Sequence, residues 1–424
     1  MLDIKFIREN PDLIREAARK KHIEFDLDRL LKLDQKRRDL ITEVDAIRAE
    51  HKIASENIAQ MPEGAEREAA IEKVKLSKET LTSKEKSLNK VEEEYGNIIL
   101  LVPNIPDLSV PEGTSDADNV QVEVWGEIPT YDFEPKDHIT LMKELDLVDF
   151  ERGTKVAGFR GYFLKNEAVL LEFALWQLAI ELLLAKGFTL MHAPALTFSA
   201  NLYGTGYLPQ AKDEVYKLDE DLYLAGTSEV PVMGMYRDEI LEESDLPKKF
   251  VSISPCYRSE AGSYGKDTKG LYRVHEFMKV EQVVLTKASH EESVTLHEEL
   301  TANSEALLQA LKLPYRKVIN CGGDIGLGQV KKYDLEAWIP SQQKYGETHS
   351  SSYFHDFQTR RLKIRYKDKE GNIKFAHSLN DTMVATPRIL IQILENYQEA
   401  DGSVKVPEVL QKWVGKERIT KQGA

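Results

Sequence analysis

The chain has 424 residues, 42% hydrophobic and 30% charged, a soluble globular composition with room for two or three domains. A net charge of −14 argues against broad nucleic-acid coating, but the first 110 residues are near neutral (20 Lys+Arg against 23 Asp+Glu), and an acidic body can still hold RNA on a local patch. Two cysteines, Cys256 and Cys321, exclude a disulfide framework and cannot supply a zinc site alone.

The opening segment MLDIKFIRENP has no apolar h-region, so no secretory signal is expected. From residue 27 to about 98, Pro62 is the single proline and Gly64 and Gly96 the only glycines. Apolar residues recur at three-four spacing: Leu30, Leu33, Leu40, Val44, Ile47, Ala54, Ile58 and Met61, then Ile71, Val74, Leu81, Leu88, Val91 and Tyr95. The pattern predicts two helices of roughly 45–55 Å joined at MPEGAE as an antiparallel coiled-coil hairpin. Arg37, His51, Lys78 and Glu85 fall at core-type positions, where long side chains can snorkel outward. A dimerisation coiled coil, a spacer, and a projecting arm that touches something long all fit this segment.

LVPNIPDLSVPEGTSDADN then reads as a linker, so the expected division is a helical domain over 1–110 and a second domain over 111–424. An amphipathic helix is predicted over 165–186. Its apolar stretch, 169–185, carries Glu172 and Glu181 and is too short and polar to span a bilayer. A cytoplasmic location with no membrane partner is therefore expected. Strand-like runs follow at 250–253, 272–285, 333–338 and 362–366. They lack regular strand-helix alternation, so the class is α+β with an antiparallel sheet.

The most informative segment is CYRSEAGSYGKDTKGLYRVHEFMKVEQVV, residues 256–284, with Gly262, Gly265 and Gly270 between two strand-like runs. Alternation places Arg273, His275, Phe277, Lys279 and Glu281 on one face and Val274, Met278, Val280 and Val284 on the core face. Cations, a ring and a carboxylate on one face suit a nucleotide. Periodicity alone leaves a plain solvated strand equally open.

This segment resembles motif 2 of class II aminoacyl-tRNA synthetases in the form found in seryl-tRNA synthetases, bacterial type. Arg-x-Glu, the glycine-rich loop and Arg-x-His-x-Phe make the match highly specific, and the resemblance extends over the whole chain. The helix over 165–186 with GFTLMHAPAL resembles motif 1, Pro194 being its signature proline, and implies a homodimer. HSLNDTMVATPRILIQILENYQ resembles motif 3, with Arg388. Relatives commonly read Asn-Gly-Ser-Gly where this chain has Asn380-Asp381-Thr382-Met383, and Pro387 stands near a common glycine, so a helix is expected to begin close by. LAGTSEVP resembles the serine-binding loop, and Glu347-Thr348-His349-Ser350 the segment that usually reads Glu-Ile/Val-Ser-Ser; His349 replaces a serine and is assigned no chemical role of its own.

The resemblance implies ATP-dependent activation of L-serine to seryl-adenylate, then transfer to tRNA(Ser) and, where present, tRNA(Sec). It implies Arg258 and Arg388 as the catalytic arginines. Thr227, Ser228, Glu229, Arg258, Glu281, Asn380 and Thr382 would line the serine pocket. ATP would meet Arg258, Ser259, Glu260, Arg273, Val274, Phe277, Glu347, Thr348, His349, Ser350 and Arg388, with Phe277 stacking on adenine and Arg388 on its other face. Glu347 and Ser350 would hold Mg²⁺. The hairpin would reach the long variable arm of the tRNA by shape and backbone contacts, through Arg37, Arg38, Arg48, Lys52, Lys73 and Lys75. A homologue that charges a carrier protein would lack the hairpin, a degenerate binding paralogue should have lost Arg258, Glu281 or Arg388, and a zinc-dependent variant would need a cysteine ligand.

Overall fold

The computed structural model describes residues 1–261 and 269–421, in two compact units: Asp3–Arg19 with Ile23–Pro103, and Asn104–Ala424 with Met1–Leu2 and Lys20–His22. Gly262 and Gly265 of the glycine-rich loop lie outside the described residues.

The first unit is dominated by α1 (Leu27–Gln60) and α2 (Ala65–Ile99), 34 and 35 residues long, or roughly 50 Å each. Asp26 caps α1 by accepting the Arg29 amide at 2.8 Å. Leu27, Leu30, Leu40, Val44, Val91 and Ile99 are buried. Toward the turn the seam opens: Met61 and Ile71, expected in it, are 39% and 45% exposed. Two of the four faults, Arg37 and Glu85, are met by pairs across the hairpin. Arg37 donates to Glu92 at 3.3 Å and covers the Tyr95 ring, Arg48 donates to Glu85 at 2.8 Å, and Lys84 reaches Glu43 at 2.6 Å. Such exposed pairs contribute little each, so the hairpin rests on a thin apolar strip.

In the second unit, eight strands among the described residues form one sheet: β1 (Val120–Trp125), β2 (Thr189–His192), β3 (Lys248–Tyr257), β4 (Glu276–Thr286), β5 (Tyr315–Ile319), β6 (Lys331–Ile339), β7 (Lys344–His355) and β8 (His377–Ala385). Their spatial order is β1-β5-β6-β7-β8-β4-β3-β2, antiparallel throughout except for the β2–β3 pair. This is the expected α+β class.

One face of the sheet is covered by α3 (Glu167–Leu184), α5 (His290–Ala310) and α7 (Thr386–Asn396), whose Leu171, Leu175, Leu300, Leu307, Ile389 and Ile393 pack with Val280, Val284 and Val384. On the other face Val283 and Leu285 join Phe250, Leu362 and Ile364 in a smaller core, near α4 (Glu229–Gly234) and α6 (Phe357–Leu362). Both faces of β4 and β8 are covered, although the strands carry Lys279, Glu281 and Gln282, and Asn380, Asp381 and Thr382, among their apolar residues.

Two elements differ from expectation. Leu362 closes helix α6, and the strand expected over 362–366 is confined to Arg365–Lys367. The strand expected from 272 begins at Glu276. Gly270 sits at φ +79, a Cβ there would strike His138, and the Leu271 amide donates to His138 Nε2 at 3.3 Å rather than to a ladder partner. Residues 270–275 therefore turn across the sheet and bring Tyr272, Arg273 and Val274 over it. Helix α7 begins at Thr386 with Pro387 in its first turn, as the sequence predicts.

Candidate active site

Two bulges set the site. Between β4 and β8, Val280 pairs with Val384 and Glu281 with Thr382, leaving Met383 as the extra residue. Between β6 and β7, Leu335 pairs with His349 and Glu336 with Glu347, leaving Thr348 extra. Each extra residue shifts the alternation of faces by one. Glu347 and Ser350, three apart, thus share one cavity wall with Arg258, Phe277 and Arg388.

At the inner end is an acid pocket. Glu229 is 3% exposed; its Oε1 accepts from Gln358 at 2.6 Å, and its Oε2 from Tyr207 at 3.1 Å and Asn380 at 2.9 Å. Burial raises its carboxyl to about 7 against the opposing Gln358 bond, and the nearby Glu281 charge adds to the rise. Glu281 accepts from Asn380 and Thr382, both at 3.3 Å, and pairs with Lys279 at 2.6 Å. Lys279 also donates to Thr227 Oγ1 at 2.8 Å. Asn380 Oδ1 has no partner among the described residues, an open acceptor in the pocket. The rim is the loop 326–329, whose carbonyls at Gly326, Leu327 and Gln329 accept from the buried Lys21 ammonium.

The adjoining cavity shares Arg258, Lys279, Ser350 and Thr382 with the acid pocket and runs outward under Tyr272, Arg273 and Val274. Arg258 stands between the two, its Nε donating to the Gly226 carbonyl at 3.2 Å and its guanidinium 5.5 Å from the Phe277 ring centre. Arg388 pairs with Glu347 at 2.9 Å and lies over Tyr272 at 4.7 Å. Burial works against ionisation of Glu347, but Arg388 and then Lys332 outweigh it and hold its carboxyl at about 2. Glu260 accepts from Arg273 at 3.2 Å and faces Arg160 at 3.6 Å.

Of the residues anticipated from sequence, Arg258, Glu260, Arg273, Val274, Phe277, Glu347, Thr348, Ser350, Thr382 and Arg388 converge on the outer cavity, and Glu229, Glu281 and Asn380 on the inner pocket. Four stand back. Thr227 is buried behind Lys279, from which its Oγ1 accepts at 2.8 Å, Ser228 is fully buried, Ser259 donates to the Asp213 carbonyl at 2.5 Å, and His349 is buried behind the wall with Nε2 3.1 Å from the Met383 carbonyl. Tyr207, Gln358, Tyr272 and Lys21 were not anticipated, because their contacts lie 22 to 308 residues away. Lys279 was legible: it alternates with Phe277 and Glu281.

A mostly antiparallel sheet with a cleft of this kind on one face, bounded by paired arginines and buried carboxylates, defines the catalytic domain of a class II aminoacyl-tRNA synthetase. Residues 212–397 match the model of the tRNA synthetase class II core domain (G, H, P, S and T), and residues 1–106 that of the seryl-tRNA synthetase N-terminal domain. The chain is 45% identical to a serine–tRNA ligase of Deinococcus radiodurans, over 100% of this chain and 99% of that one. It superposes on the crystal structure of seryl-tRNA synthetase from Pyrococcus horikoshii complexed with ATP with a TM-score of 0.90 and 38% identity, covering 99% of this chain and 100% of that one. The cytoplasmic serine–tRNA ligase of Naegleria fowleri in complex with AMP gives a TM-score of 0.85 at 34% identity, covering 100% and 99%. This chain belongs to the seryl-tRNA synthetase family, and is an enzyme of class II.

Proposed function

We propose that the enzyme condenses L-serine with ATP to seryl-adenylate in this cleft and transfers the seryl group to tRNA(Ser), and to tRNA(Sec) where that is present. The observation that carries it is the continuity of the acid pocket with the arginine-lined cavity through Arg258. A small zwitterion in the inner pocket would meet carboxylates at its ammonium and hydroxyl and a cation at its carboxylate.

A serine carboxylate oxygen attacks the α-phosphorus of ATP and pyrophosphate leaves; a ribose hydroxyl of the terminal tRNA adenosine then attacks the acyl carbon and AMP leaves. The first nucleophile is already ionised, so no general base is needed, and rate comes from positioning and charge neutralisation. Arg258 bridges the serine carboxylate and α-phosphate. Glu281 and Thr227 receive the ammonium, while Glu229, Asn380 and Thr382 receive the hydroxyl. Phe277 stacks on adenine, Glu260 accepts from its amino group, and Arg388 neutralises the outer phosphates. Mg²⁺ fits the donor set: Glu347, held ionised, and Ser350 on the same wall are hard oxygen ligands. Bound there it would neutralise phosphate charge. Among the described residues no three His, Cys, Asp or Glu gather as a metal cage, so the other ligands would be phosphate and water oxygens.

The two-copy state belongs to the same proposal. Leu170, Phe173 and Leu190, from the motif 1 segment, are 40%, 54% and 44% exposed, an apolar face suited to a second copy. Light scattering should give twice the chain mass; an active monomer would remove motif 1 from that role. No helix among the described residues is long and apolar enough to cross a membrane.

The test of the activity is amino-acid-dependent ATP–pyrophosphate exchange with serine, threonine, alanine and glycine. Serine alone should support rapid exchange, and no exchange with serine would overturn the proposal. A carrier-protein ligase would exchange but fail to aminoacylate tRNA, and a binding paralogue would do neither.

A further inference from the structure

Behind the inner pocket, between the sheet and α5, lies a buried polar group that the chemistry above leaves unused. Asp381 is fully buried and points away from Asn380 and Thr382, its neighbours on β8, toward the helix-covered face. Its Oδ2 lies 2.6 Å from Ser304 Oγ and 3.0 Å from Gln282 Nε2. Its Oδ1 has no partner among the described residues. Ser304 Oγ also lies 3.0 Å from the carbonyl oxygen of Thr382.

That carbonyl sits at the bulge, where the regular ladder is broken. Both bulge carbonyls are reached by side chains instead: Thr382 by Ser304, Met383 by His349. A serine hydroxyl has one proton. If Asp381 is ionised, that proton is drawn to the carboxylate, the Thr382 carbonyl loses the Ser304 donor, and a charged Oδ1 stays bare in the core. If Asp381 carries a proton, both short contacts are hydrogen bonds at once, and the bare Oδ1 is a neutral carbonyl, far cheaper to leave unpaired.

We propose that Asp381 is a positioning residue that works as a neutral acid: its proton is donated to Ser304, the Ser304 proton is donated to the Thr382 carbonyl, and this relay holds the Asn380–Thr382 stretch against Glu229 and Glu281. It deepens the assignment of the inner pocket to serine and rests on it. Ionisation of Asp381 would turn Ser304 round and loosen the pocket. The charged groups facing it are Glu281 and Lys279 on β4 and Asp334 on β6; Lys186, beyond α3, connects to it only through Asn303 on α5 and Gln282. Burial first, with Glu281 and Asp334 adding to it, pushes its carboxyl well above the usual range, against Ser304 and Lys279.

The experiment pairs a spectrum with kinetics on the full-length enzyme. The infrared difference between wild type and Asp381→Asn at neutral pH should contain the carbonyl stretch of a protonated carboxylic acid; carboxylate bands in its place would overturn the relay. In pyrophosphate exchange, KM for serine in the wild type should rise at alkaline pH. Asp381→Asn can donate to Ser304 through its amide nitrogen but cannot accept from Gln282 Nε2 there, so its KM for serine should start higher than wild type and should not rise with pH. Asp381→Ala and Ser304→Ala should each raise KM for serine about tenfold, with KM for ATP unmoved, and the double variant should be no worse than either single one. An Asn variant that keeps the alkaline rise, or Asp381→Ala and Ser304→Ala effects that add in the double variant, would overturn the proposal. A wild type that shows the acid band but activates no serine sinks the serine assignment and leaves the relay; one that activates serine without the band sinks the relay alone.

Discussion

The ammonium of Lys279 lies 2.6 Å from Glu281 Oε2, with the two side chains 5% and 1% exposed. Lys279 therefore stands at the carboxylate to which the incoming serine ammonium is assigned, and also donates to Thr227. Removing one member of such a pair strands a buried charge, which costs more than removing both. Glu281→Ala should lower kcat/KM for serine by about 2–4 kcal/mol while KM for ATP changes far less. Glu281→Ala with Lys279→Met should be more stable to denaturant than Glu281→Ala alone. Unchanged serine activation in the single variant would leave Glu281 as an ordinary strand residue.

Glu229 carries a pH signature. Its carboxyl is raised from 4.5 to about 7 by burial. Below pH 4.5 both folded and unfolded chains hold the proton and its stabilisation is intact. Between 4.5 and about 7 only the unfolded chain releases it, so stability falls, and above about 7 the loss is complete, at most about 3 kcal/mol. Glu229→Gln has no such titration. It should gain on wild type between pH 5 and pH 8 in denaturant unfolding; parallel curves would show that Glu229 ionises normally.

His349 and Asp381 show where sequence stopped. Alternation along β4 gave Phe277, Lys279 and Glu281 one face because that signal is local. The bulges at Met383 and Thr348 are not local: they arise from register with β4 and β6, and they put Glu347 and Ser350 on one wall and turn His349 behind it. Helix α7 was readable from Pro387, whereas the turn at 270–275 depends on His138, 132 positions before Gly270, and could not be read. The hairpin seam was readable as a period, but its opening toward the turn follows from how few side chains two helices can bury.

Replacement of His349 tests the second bulge carbonyl. Its Nε2 supplies the Met383 oxygen, and serine at this position is too short to reach it. His349→Ser should cost about 1–3 kcal/mol in urea unfolding at neutral pH. It should also raise KM for serine modestly, because Met383 adjoins Thr382. No change in either would mean water replaces the ring without loss.

The hairpin offers the test that separates RNA binding from adenylate chemistry. The second unit has its own core on both sheet faces, so excising residues 34–92 and closing the gap with a Gly-Ser turn should leave pyrophosphate exchange near wild type while aminoacylation of tRNA(Ser) collapses. Charge reversal needs care with the six basic residues. Arg37, Arg38 and Arg48 are paired with Glu92, Asp34 and Glu85, so reversing them strains the hairpin as well as any RNA contact. Lys75 lies 3.8 Å from Glu72, while Lys52 and Lys73 make no ion pair among the described residues. Lys52→Glu with Lys73→Glu is therefore the cleaner variant. If both touch phosphate, it should weaken tRNA binding and lower the slope of log K against log salt by about 1.4–1.8, with exchange and thermal stability unaltered. Loss of exchange in the excised enzyme would make the hairpin a support for the fold. Retention of full aminoacylation would make it a spacer, and recognition of serine tRNA would then have to reside in the sheet domain.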